Sequence, residues 1–123
     1  MVEMDEKVTL KDQMKEQITG SVILINKFNV EPEGEKKFLK AWEQDATQFK
    51  QQPGFISTQL HKGVGKSTVF VNYAVWESVK HYSNAVDKVL GSDMQSRLSG
   101  YSSALTVSPH LFKKIAIPGI CGD

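Results

Sequence analysis

A chain of 123 residues, 40% hydrophobic and 24% charged, fits one soluble globular domain that buries roughly two-thirds of its unfolded surface. Its 15 basic and 14 acidic residues leave a formal net charge of +1, so no global field draws it to nucleic acid or to an anionic membrane. The only cysteine, Cys121, excludes an intramolecular disulfide and a thiolate metal cluster and suits a reducing cytoplasm. No apolar run approaches the roughly 18 residues of a membrane-spanning helix, and the N-terminus is too acidic and polar for a signal peptide.

Residues 1–20 have mixed charge and few large apolar side chains. They read as an extension forming a loose helix or a short strand, with no chemistry assigned. Residues 21–117 carry the domain and 118–123 a tail. The domain opens with "SVILINKFNV", whose β-branched run reads as a buried strand. In "EPEGEKKFLKAWEQDATQFKQQPG", Pro32 suits a first helical turn, and Glu33 and Glu35 favour the positive end of the dipole. Phe38, Trp42, Ala46 and Phe49 then recur at helical spacing until Pro53-Gly54 stops the helix.

"FISTQLH" and "STVFVNYAVW" predict two antiparallel strands joined by the hairpin connection "KGVGK". Ser78 caps a second amphipathic helix with Val79, Tyr82, Val86 and Val89 on one face, and Gly91 ends it. "SDMQSRLSG" reads as a short helix capped by Ser92, and "YSSALTVSPHLFKKIAI" as a last strand interrupted or bulged at Pro109. The order β-α-β-β-α-β defines an α+β, ferredoxin-like fold with an antiparallel sheet. In the third strand Val69, Val71, Tyr73 and Val75 alternate with Phe70, Ala74 and Trp76, so both faces call for cover. Two helices cover one face, and the sheet of a second copy would cover the other; a homodimer is expected.

"HKGVGKSTVF" has the look of a phosphate-binding loop, but position 60, where the first glycine belongs, is Leu, and a β-branched strand follows where a helix should begin. Its glycines supply a hairpin turn, with Lys62 and Lys66 as exposed loop charges. His61, His81 and His110 are scattered, so no metal site is expected, and no Gly-x-Ser-x-Gly elbow or Ser, His and Asp set is present. Asn72 interrupts an apolar strand face between Phe70 and Trp76, and Asn26 does the same beside Leu24, Phe28 and Val30. Each amide is either satisfied by neighbouring backbone or available to a ligand, because a buried amide without partners costs about 1–3 kcal/mol. Parity puts Asn72 and Trp76 on one side of the strand, and Tyr82 lies on the inward face of the helix that follows. Amide, indole and phenol can share a pocket. Arg97, the only arginine, is either a solvated helix residue or part of that site.

The segments "PGFISTQLHKG", "FVNYAVWESVKHYSNAV" and "SPHLF" resemble the antibiotic biosynthesis monooxygenase (ABM) family over about residues 21–115. The resemblance implies a dimeric α+β barrel. In the quinone-forming members an asparagine and a tryptophan four residues apart on the third strand, then a tyrosine six residues later, line the substrate pocket; Asn72, Trp76 and Tyr82 match. Arg97 fits the arginine of the next helical segment with a one-residue shift. Beside these, Asn26, Phe70 and Trp42 are the candidates for further substrate-binding residues, each with a core role as the alternative. The activity implied is oxidation of a small aromatic or phenolic substrate by O2 to a quinone, with no flavin, haem or metal. Asn26 also matches an asparagine of the haem-degrading branch, but Ala85 and Gln95 stand where that branch has tryptophan and histidine, so haem chemistry is a minor alternative. A non-catalytic dimeric module binding a small hydrophobic ligand is the other reading, because fold alone does not assign function.

Overall fold

Alternation of apolar and polar residues builds the sheet that organises this chain. The computed structural model describes residues 1–91 and 105–122. A single-turn helix α1 (Leu10–Gln13) precedes strand β1 (Val22–Asn29). A 3₁₀ turn at Pro32–Gly34 leads into helix α2 (Glu35–Phe49), followed by β2 (Phe55–Lys62), β3 (Val69–Trp76), α3 (Val79–Leu90) and β4 (Thr106–Phe112). All pairings are antiparallel, in the order β2-β3-β1-β4. Two helices cover one face, which is the ferredoxin-like α+β arrangement the element order calls for.

Register settles which residues share the covered face. Leu24, Asn26 and Phe28 stand opposite Ala74, Asn72 and Phe70 on one side, and opposite Leu111, Pro109 and Val107 on the other. The inward side chains divide into two clusters. One gathers Leu24, Ala74, Trp76, Tyr82, Val86 and Leu111, and the other gathers Phe28, Phe38, Phe70 and Val107. In the second cluster, Phe38 of α2 sits between Phe28 and Phe70 with ring centroids 4.9 and 5.0 Å away. Such tilted pairs contribute about 0.5–1.5 kcal/mol each beyond their buried area.

Local signals hold the ends. The Ser78 hydroxyl accepts from the His81 amide at 3.1 Å as the α3 cap, worth about 1 kcal/mol. Gly91 ends that helix at φ 70°. Pro53-Gly54 ends the α2 connection for a second reason besides helix breaking: Gly54 has φ 87°, a Cβ there would collide with the His81 ring, and its carbonyl accepts from the Glu77 amide at 2.8 Å.

Three differences from the sequence reading have physical causes. β4 runs through Pro109 in unbroken register with β1, without bulge or interruption. It is an edge strand, where a missing N–H facing outward removes no ladder bond. The irregularity lies in β2 instead, between Phe55 and Ser57. Lys62 is paired rather than a bare loop charge, 3.0 Å from Glu35 of α2 and 5.8 Å above the Phe70 ring. Arg97 and the short helix expected at Ser92 lie outside the described residues.

The other sheet face is open over β3 and the end of β4, while Ser108 and His110 of β4 are buried on it. Ile23, Ile25, Val69, Val71 and Val75 are half-buried there, while Tyr73 is 39% and Phe112 38% exposed. Among the described residues, no helix is long and apolar enough to cross a membrane.

Candidate active site

Between the two clusters the core is not filled. On β1 the sequence Leu24, Asn26, Phe28 places an amide where an apolar side chain would join the clusters, and on β3 Phe70, Asn72, Ala74 does the same. The amides are cross-strand partners, with Pro109 beyond Asn26 on β4 and Leu60 beyond Asn72 on β2. Above this row, under α2 and α3, lies a cavity of about 100 Å³.

Asn26, Asn72, Trp76, Tyr82 and Trp42 all line it, so five of the seven residues expected at the site come together there. Phe70 does not line it; its ring packs with Phe38 in the neighbouring cluster. Leu10, Asp45, Thr58 and Pro109 line the cavity without being expected there from the sequence. Asp45 carries a usable signal, since it falls three residues after Trp42 and so on the same helical face. Thr58 carries none, because the β2 irregularity shifts its register by one residue.

The polar groups are set for hydrogen bonding. Thr58 Oγ1 donates to Asn72 Oδ1 at 2.6 Å, which orients that amide and leaves chiefly its N–H groups for a ligand. Asn26 Oδ1 and Trp76 Nε1 are buried with no partner among the described residues. One is an acceptor and the other a donor. An unpaired buried group costs about 1–3 kcal/mol, so two of them in one cavity wall suit a ligand that supplies a hydroxyl and a carbonyl.

Trp76 is held by three rings, Phe49, Phe55 and Tyr82, at 6.2, 5.4 and 5.8 Å, all edge-to-face. It is 2% exposed, so it is at once core and cavity wall. Tyr82 is buried, and loss of water pushes its phenol well above the ordinary value. It therefore presents a neutral O–H across the physiological range. No cluster of three or more His, Cys, Asp or Glu able to hold a metal occurs among the described residues.

A ferredoxin-like sheet with an aromatic cavity between sheet and helices defines the class. Residues 21–92 match the antibiotic biosynthesis monooxygenase family, and the chain belongs to it. A candidate monooxygenase from Shewanella loihica PV-4 is 29% identical with a TM-score of 0.66, the match covering 81% of this chain and 99% of that one. SnoaB, a cofactor-independent oxygenase from Streptomyces nogalater, is 23% identical with a TM-score of 0.68, covering 82% and 99%. Rv0793 from Mycobacterium tuberculosis shares the fold at 11% identity with a TM-score of 0.65, covering 80% and 99%. No curated protein matches the sequence significantly.

Proposed function

We propose that the chain is a cofactor-independent monooxygenase that oxidises a small electron-rich phenol with O2 to a quinone. The observation that carries this reading is the row of amides under Trp76 and Tyr82, which gives an otherwise apolar cavity its own donors and acceptor. Membership of a monooxygenase family and likeness to a cofactor-independent oxygenase support it.

In this reading Asn26 Oδ1 accepts the substrate hydroxyl, and Asn72, Trp76 and Tyr82 donate to its oxygens and favour the anion in a dry site. The anion passes one electron to O2, the two radicals combine, and the resulting peroxide collapses. One oxygen atom becomes the new carbonyl and the other leaves as water. Arg97 would add positive charge near the anion. The protein works as a homodimer whose open sheet face meets that of a second copy, and the free thiol of Cys121 suits the cytoplasm.

Oxygen uptake with phenols of one to three fused rings, an anthrone-like phenol among them, tests the reading. Trp76→Phe and Tyr82→Phe should each lower the rate while leaving the fold intact; unchanged rates in both would remove these residues from the site. A cavity that binds phenols without oxygen uptake would instead establish a non-catalytic binding module.

A further inference from the structure

The cavity has one wall that does not come from the family domain. The family match begins at residue 21, and the SnoaB fold is spanned almost whole by 82% of this chain. α1 precedes that match, yet its Leu10 is 1% exposed, joins the core cluster of Leu24, Trp76 and Tyr82, and lines the cavity. An extension with no such role would keep a leucine of this kind at the surface or in its own small cluster.

The segment is also fastened. Thr9 and Asp12 form a reciprocal capping box that closes the single turn, and Glu3 Oε1 accepts from the Leu10 amide at 2.9 Å. Gln13 grips the outer edge of β4: its Nε2 donates to the Leu111 carbonyl at 2.9 Å and its Oε1 accepts from the Leu111 amide at 2.9 Å. The same Nε2 lies 3.1 Å from His110 Nε2. Further out, the Val2 amide donates to the Val107 carbonyl at 2.8 Å. Leu10 is thus held in the cavity by bonds on both sides of it in the chain.

Size gives this wall a consequence. A sealed cavity of about 150 Å³ takes up a benzene ring, and this one is about 100 Å³ but opens to solvent, so a single ring fits with its edge in the mouth. Leu10 is one of the side chains that limit how deeply a second or third fused ring can enter.

We propose that Leu10 is a specificity-determining residue that restricts this family site to single-ring phenols, with Gln13 as the latch that keeps it seated. The proposal deepens the functional reading by naming the substrate class, and it is tested by binding alone. Calorimetric titration under anaerobic conditions with phenol, naphthol and phenanthrol should show wild-type protein binding phenol and rejecting phenanthrol. Leu10→Ala should tighten phenanthrol by about tenfold or more with little change for phenol, the scale on which a hydrophobic pocket discriminates by size. Leu10→Phe should weaken all three. Gln13→Ala, which leaves the core side chains in place, should shift selectivity in the same direction as Leu10→Ala and guards against a variant that fails to fold. The same order of affinities in wild type, Leu10→Ala and Gln13→Ala, or no binding of any phenol to wild type and Leu10→Ala, would overturn the proposal. Single-ring binding without oxygen uptake would leave the size limit standing and remove the oxidation reading.

Discussion

Asn26 and Asn72 face each other across the ladder between β1 and β3, each flanked on its own strand by buried apolar residues. Asn72 is tied by Thr58, whereas Asn26 Oδ1 has no partner among the described residues. Replacing Asn26 by Leu should therefore raise the stability of the empty protein by about 1 kcal/mol, seen as a higher denaturant midpoint, because an unpaired acceptor gives way to apolar packing. The same variant should bind phenol more weakly. A loss of stability would show that the amide is satisfied in solution.

Tyr82 sets an alkaline limit. Its phenol is pushed up by burial, so the folded state holds the proton more tightly than the unfolded state, whose phenol titrates at about 10. Its contribution is fully present below about pH 10 and falls as pH rises above it. Tyrosinate absorbance should show that Tyr82 stays protonated until the protein unfolds. Tyr82→Phe should flatten the loss of stability above about pH 10.

Gly54 and His81 should be energetically coupled. Gly54→Ala adds a methyl against the imidazole in a backbone conformation that already disfavours side chains, and it should cost more than about 1 kcal/mol. In a His81→Gly background the clashing Cβ and ring atoms are both gone and only the backbone part is left. A double-mutant cycle by urea denaturation should give a coupling of about 0.5–3 kcal/mol.

Asp45 supplies the carboxylate among the described cavity residues. If it accepts the substrate proton, Asp45→Asn should lower kcat by about 10²–10⁴ with KM little changed, and substrates supplied above their own pKa should recover the rate. Equal kcat in the two proteins would assign the proton to solvent.

Tyr73 offers a test of the proposed dimer. It lies on the open sheet face among Ile23, Ile25, Val71 and Val75, opposite Ile25 and Gln59 in the ladder. Light scattering should give twice the mass of one chain for wild-type protein and the mass of one chain for Tyr73→Asp, because a carboxylate placed there would lie unpaired in the contact. The same mass for both would move the contact elsewhere.

Much of this is legible in the sequence because period and parity carry through regular strands. Asn72 and Trp76, four residues apart on β3, have to share a face, and the helical period puts Tyr82 inward. Contacts between segments distant in sequence are not legible. Nothing in the spacing tells that Leu10 joins the core cluster that holds Tyr82, although Thr9 and Asp12 do mark a helix start. Phe70, a substrate-binding candidate on the same strand face as Asn72, stays out of the cavity because a shared face does not fix a position along it: two residues before Asn72, it falls with Phe28 and Phe38. Pro109 suggests a break because its strand's edge position follows from topology, not from local sequence.

The outer rim of β4 closes off another hazard. An unpaired strand edge is a template on which other chains add, and this one has few hooks left: the Val107 carbonyl is taken by Val2, Pro109 has no N–H, and both groups of Leu111 are held by Gln13. Removing the residues that precede the family domain would bare that rim, so the shortened protein should form fibrils or precipitate at concentrations where the full chain stays clear.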